Sequence, residues 1–226
     1  MMPRKRRKRV KKQTKLLGLI SYKPRWGLSN WGWLGVWLML VLFLWLLLFK
    51  LEPFLAYSQP VDAEILIVEG WIADEGIIGA IGEFERNPYK LIITAGSPFG
   101  RGEYLSEYRD FANLSKATMI ALGFDADKVQ PIPTPQVIRD RTLTSAGAVK
   151  QWLNENNITP KGINVYTIDV HGRRTWLLYK RVFKPIPTGI ISHPPLDYNP
   201  DAWWASSEGF RKVLSEGIAY VYAKFL

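Results

Sequence analysis

The spacing of apolar positions changes character twice along the chain. From Trp26 to Phe49 there is no charged residue, and Trp31 to Phe49 reads WGWLGVWLMLVLFLWLLLF, with no polar face. At the helical rise these 19 residues extend about 28 Å, enough to cross a hydrocarbon core. Beyond Asp62, short β-branched runs alternate with stretches that are apolar at helical spacing. Ala63–Val68, Lys90–Thr94, Val129–Ile132, Ile163–Val170 and Gly189–Ser192 read as strands. Between them, helices are predicted over Asp74–Arg86, over a segment with Phe111, Leu114, Ala117 and Ala121 on one face and Gly123 as its cap, over Thr142–Asn156 and over Thr175–Phe183. A last helix carries Phe210, Val213, Leu214, Ile218, Val221 and Phe225 on one stripe. This alternation predicts a Rossmann-like three-layer α/β domain with a mostly parallel sheet of about five strands, preceded by one N-terminal transmembrane helix. The chain then divides into a basic tail (1–25), the span (26–50), a linker (51–61) and the α/β domain (62–226).

Charge refines this picture. The net charge of +10 is not spread over the chain: residues 1–25 hold eleven Lys/Arg and no acid. Residues 51–226 carry 18 basic against 20 acidic side chains, about −2 in all. The positive charge is therefore a tail beside a membrane span, which predicts a cytoplasmic N-terminus and an extracytoplasmic domain at the plasma (inner) membrane. It gives no ground for expecting nucleic acid as a partner, because the globular part is nearly neutral. Trp26, Trp31 and Trp33 suit the interfacial belt on the basic side. A cleaved signal peptide is the competing reading, since Ala56-Tyr57-Ser58 supplies small residues for cleavage. The apolar run is long for a signal and ends several residues earlier, which favours an uncleaved anchor. The absence of Cys excludes disulfides and thiolate metal sites, and with only two His no metal site is expected.

Four loops follow strands and should converge on the carboxyl edge of the sheet, where ligands of open parallel sheets collect. They are Glu69-Gly70-Trp71, Gly96 to Gly102 with Ser97 and Arg101, Arg139-Asp140-Arg141-Thr142, and His171-Gly172-Arg173-Arg174. The glycine-rich loop is neither a P-loop nor a dinucleotide fingerprint, and a simple turn explains it equally well. Arg139 and Arg141 flank a predicted helix start. They read either as solvated neighbours of an Asp140 or Thr142 cap, or as guanidinium forks beside a helix N-terminus that takes phosphate or carboxylate. Together the rim gathers arginines 101, 139, 141, 173 and 174 with His171, Glu69 and Asp140, and points to an anionic ligand. If the site is catalytic, His171 is the general acid/base, and Glu69 or Asp140 orients it. Gly70, Trp71, Gly96, Ser97 and Thr142 complete the expected binding set.

Residues 62–226 resemble the bacterial YdcF-like domain family, which includes the SanA and ElyC envelope proteins. The resemblance rests on Val68-Glu69-Gly70-Trp71, on Thr94-Ala95-Gly96, on Arg141-Thr142-Leu143-Thr144-Ser145-Ala146 and on His171-Gly172-Arg173-Arg174. The last two look like the family's Asn-Thr-x-x-Asn-Ala and His-x-x-Arg-Ala motifs. Glu69 replaces the first Gly of the usual Gly-Gly pair, Ser115-Lys116-Ala117 stands for Ser-Glu-Ala, and Arg141 stands where the family has Asn. These departures suggest a rebuilt pocket. The resemblance implies a Rossmann-like sheet, a strand-end pocket and a role in envelope metabolism. The partners it implies are the membrane and an anionic small molecule or lipid-linked envelope precursor. It also implies nucleotide-like ligands, S-adenosylmethionine among them. Glu216 resembles a glutamate of the family's last helix, but it lies opposite the apolar stripe, where solvent exposure is an equal reading. The alternative to a ligand-transforming protein is a non-catalytic scaffold or binding module for envelope assembly.

Overall fold

The structure is a computed structural model that describes residues 28–225, together with Thr14–Lys15 and Ile20–Ser21, which pair antiparallel. The remainder of the basic tail, and Trp26, lie outside the described residues. Contacts divide the chain after Leu44 into two units. The first contains most of helix α1 (Asn30–Leu55), which is long and apolar enough to cross a membrane.

The second unit, from Trp45, is built on five strands: β1 (Ile65–Glu69), β2 (Leu91–Gly96), β3 (Val129–Pro133), β4 (Ile163–Ile168) and β5 (Thr188–His193). All pair parallel, in the order β3-β2-β1-β4-β5. Helices α2 (Asp74–Arg86), α3 (Phe111–Ala121), α4 (Arg141–Glu155), α5 (Gly172–Phe183) and α6 (Ser207–Phe225) follow in chain order.

Alternation along β1 explains the layers. Ile65 and Ile67 pack with Ala146, Val149 and Leu153 of α4 and Tyr179 and Phe183 of α5. Leu66 and Val68 turn the other way, onto Ile77, Ala80 and Phe84 of α2 and Met119 of α3. Every β1 residue is buried, as expected for a parallel strand covered on both faces. Chain order runs outward from β1 to β3, then returns to the other side of β1 at β4. The carboxyl ends of β1 and β4 are therefore the point where the winding reverses, and a crevice opens there.

Four segments depart from the sequence reading. The first is the linker, which is not a free tether. Helix α1 continues through Pro53 to Leu55, which is wholly buried. Gln59 then pairs antiparallel with Ile190, and Val61 exchanges hydrogen bonds with the Asn164 side chain, both 2.9 Å. The second is α3, whose buried face is Ala112, Ser115 and Met119, about one residue's rotation from the expected Phe111 stripe. Ser115 Oγ donates to the Gly70 carbonyl (2.7 Å) and Thr94 Oγ1 to that of Ala112 (2.9 Å), which fixes this rotation.

The third is α6. Its inner face is Gly209, Val213, Glu216 and Ala223, while Phe210, Ile218, Val221 and Phe225 of the predicted stripe are exposed. The small Gly209 lies against the Trp203 carbonyl and the Tyr198 ring, and Glu216 has an ion pair to meet on the inside. The fourth is the stretch after β4. The strand ends at Ile168, Asp169 adopts a φ of 62°, a 3-10 turn spans Asp169–His171, and α5 begins at Gly172 rather than Thr175. His171 to Arg174 is thus a helix start and not a polar loop.

Candidate functional site

A cavity of about 610 Å³ occupies the crevice at the carboxyl edge. Its floor is the end of β1. Glu69 is buried, and it accepts hydrogen bonds from Thr167 Oγ1 and, at 3.3 Å, from Thr175 Oγ1. Gly70 and Gly96 stand where the first turn of α3 meets the strand ends. A Cβ on Gly70 would come within 2.7 Å of the Phe111 carbonyl oxygen, and one on Gly96 within 2.7 Å of the Ala112 nitrogen. Their lack of a side chain lets α3 pack against the strand ends. Gly96 still lines the cavity, and Gly70 lies behind it.

One wall comes from the start of α5. Arg174 meets Glu216 of α6 with two nitrogens, Nε to Oε2 at 2.8 Å and Nη2 to Oε1 at 3.1 Å. Its Nη1 donates to Thr142 Oγ1 (3.2 Å), and Nη2 also lies 3.0 Å from His171 Nδ1. His171 Nδ1 is 3.2 Å from Glu216 Oε1, and the Trp71 ring packs edge-on against the imidazole at 4.6 Å. Burial opposes the Glu216 charge, but hydrogen bonds from His171 and Arg174 reverse that effect and bring the carboxyl down to about 2. Burial likewise opposes the Arg174 charge, and Glu216 outweighs it, so the guanidinium is held above its usual value. His171 Nδ1 therefore faces both an acceptor and a donor. A neutral ring can donate to Glu216 with Nε2 as a base, or accept from Arg174 with Nε2 protonated.

The opposite wall is the start of α4. Asp140 precedes it in the left-handed region (φ 59°), and its side chain caps nothing; only its main-chain oxygen accepts from Thr144 N, at 2.9 Å. The first N–H groups of α4 are left without intrahelical acceptors beside the cavity. Arg139 and Arg141 flank them and are exposed at the rim. Open N–H groups, a helix dipole and two guanidinium groups are the usual elements of an oxyanion or phosphate seat.

The crevice thus brings together all the sequence-predicted positions except Gly70, Arg101 and Arg173. Arg101 belongs to the exposed loop after β2 and does not line the cavity. Arg173 turns away: its guanidinium lies between the rings of Phe54 (3.9 Å) and Tyr57 (4.0 Å), and Nε donates to the Phe54 carbonyl. It is a clamp on the segment that follows α1 and no part of an anion site. No family model matches the chain, and no curated protein matches it. Among the described residues, no group of three or more His, Cys, Asp and Glu could hold a metal ion.

Two further corrections concern roles. His171 is oriented by Glu216; Glu69 is held by two threonines, and the hydrogen bond Asp140 accepts is through its main chain. Arg174 lines the cavity with each of its nitrogens bonded within the protein, whereas Arg139 and Arg141 are exposed at the rim. Glu216, which the family resemblance singled out and the apolar stripe left with solvent exposure as an equal reading, is buried and paired. The signal that could have found it is its place in the Gly209-Val213-Glu216-Ala223 series, where an acid shares a helical face with small and apolar residues. Leu178, Ala219 and Tyr222 add an apolar side to the cavity that no motif announced.

Proposed function

We propose that this is a membrane-anchored, extracytoplasmic protein of the YdcF-like kind. In this reading it binds a phosphorylated or nucleotide-like anion of envelope metabolism, free or lipid-linked, and transforms it with His171 as the proton-transferring group. One observation carries it: His171, partly exposed and held from behind by the buried Glu216, lines the same cavity as an uncapped helix N-terminus with Arg139 and Arg141. The α4 amides and the two arginines hold the anion. His171 exchanges a proton through Nε2, while Glu216 and Arg174 set its tautomer. Trp71 and the apolar side of the cavity accept a ring or chain attached to the anion. The eleven basic residues before α1 support an N-terminus in the cytoplasm, and the motif residues quoted above support the family. A nucleotide such as S-adenosylmethionine is a candidate ligand on the strength of that resemblance.

The reading is tested by native mass spectrometry of the full chain purified from its own membrane, beside Arg141→Ala. A bound phosphorylated species that disappears in the variant supports it. An empty cavity in both, with no thermal shift from a panel of phosphorylated metabolites, refutes it; a ligand at a hundred times its Kd should add about 2.7 kcal/mol. A second reading, a non-catalytic binding module for envelope assembly, is favoured by the bonds that tie Arg174 to Glu216 and Thr142 inside the protein. A His171→Ala chain that restores the envelope phenotype of a deletion strain as well as the unaltered chain would select it.

A further inference from the structure

The path of the chain from the last turns of α1 to β1 lies within the second unit. Leu55 packs with Val170, which follows β4, and with Trp203. The Trp203 indole donates to the Leu48 carbonyl (2.8 Å), and Trp204 meets Phe49 at 5.1 Å, where the apolar run ends. Ser58 Oγ then accepts from Ser192 N (3.0 Å) near the carboxyl end of β5, Gln59 pairs with Ile190, and Val61 bonds Asn164 near the start of β4. The segment therefore runs from the carboxyl edge of the sheet to its amino edge before β1 begins. Within the unit, the last turns of α1 pack at the edge that holds the cavity.

That same edge presents large apolar side chains with nothing covering them. Tyr104 is 99% exposed and Leu105 95%, in the loop after β2, and Ile138 is 100% exposed in the loop after β3. Scattered exposed apolar residues are ordinary on soluble surfaces, but these three are fully bared at loop tips on one edge. Arg101 and Arg139, both exposed, stand in the same two loops. β3 lies four strand spacings from β5, about 19 Å, so the tips lie across the sheet from where α1 joins. The loop around Tyr104 and Leu105 is neutral overall, with Arg101 and Arg109 against Glu103 and Glu107, and bared apolar tips with aromatic and basic neighbours match the chemistry of a lipid interface.

We propose that the carboxyl edge of the sheet seats on the bilayer. Tyr104, Leu105 and Ile138 insert at the headgroup boundary, and Arg101 lies among the headgroups. Ile138 also lines the cavity, so the cavity mouth lies within the seated face. This inference rests on the reading of α1 as a membrane anchor, and it is independent of what the cavity binds.

The chain has no Cys, so full-length Tyr104→Cys and Ile138→Cys can each be labelled with a nitrobenzoxadiazole fluorophore. Lys161→Cys, exposed beside the amino edge, serves as the reference. The proteins are reconstituted in vesicles of phosphatidylcholine with phosphatidylglycerol, and doxyl-lipid quenching is read after flotation. Quenching several-fold stronger at 104 and 138 than at 161, with unchanged thermal transitions, is expected. Equal weak quenching at all three positions in floated vesicles overturns the seat and leaves the anchor standing. Labels shielded from iodide yet untouched by doxyl lipid also overturn it, and assign the tips to a second copy. Failure to float with the vesicles overturns both anchor and seat.

Discussion

Glu216 on α6 and Arg174 on α5 form a two-point ion pair, Nε–Oε2 2.8 Å and Nη2–Oε1 3.1 Å, directly behind the His171 imidazole. The pair ties the last helix to the segment after β4 and presents His171 to the cavity. Removing one partner leaves the other buried and unpaired. Glu216→Gln should therefore destabilise the α/β unit by about 3 kcal/mol, measured by denaturant unfolding of the full chain in detergent.

The same pair predicts an acid limb. Glu216 titrates at about 2 when folded, against a model-compound value of 4.5. A carboxyl depressed on folding stabilises above its unfolded value and loses that contribution as pH falls toward the folded one. Stability should thus decline between pH 4.5 and 2, by an order of about 3 kcal/mol from this group. Glu216→Gln should flatten that decline; an unaltered acid limb in the variant would count against the ion pair.

Gly70→Ala and Gly96→Ala should each destabilise by about 2 kcal/mol, because a new Cβ would press on the main chain of α3. Gly147, inside α4 with nothing within 4 Å of a built Cβ, should behave oppositely. Gly147→Ala should raise stability by about 1 kcal/mol through helix propensity. Thermal unfolding of the three variants side by side separates close packing from backbone entropy.

Cleavage near Ser58 would strip Leu55 from a core it shares with Val170, Trp203 and Val213. Intact mass spectrometry of the membrane-extracted protein should show residues 1–57 retained. Leu55→Ala should cost about 3 kcal/mol. Arg173→Ala, which removes the guanidinium from between Phe54 and Tyr57, should cost about 1 kcal/mol without weakening ligand binding.

His171→Ala should abolish turnover of the bound anion while the thermal transition stays close to that of the unaltered chain, since the imidazole is partly exposed at the cavity. Comparing ligand retention with product formation in this variant tells a proton-transferring group from a merely structural one.

The apolar patterning by itself determined the helix long and apolar enough to cross a membrane, the five strands and the α/β class. These depend on local periodicity and on burial of both faces of each strand, which β-branched runs reveal directly. It also placed Glu69, Arg139, Arg141, His171 and Arg174 near one edge, because strand ends converge wherever strands are parallel. Only the tertiary structure decided which of them face the cavity. Arg173 and Arg174 are neighbours in sequence, yet at 100° per residue on α5 one stacks on the exit segment and the other meets Glu216. The inner faces of α3 and α6 are held by a few polar bonds, Ser115 to Gly70 and Thr94 to Ala112 for one and the two-point pair of Glu216 with Arg174 for the other. A hydrophobic stripe cannot report such bonds, since it scores a buried, paired acid as a solvent-facing one.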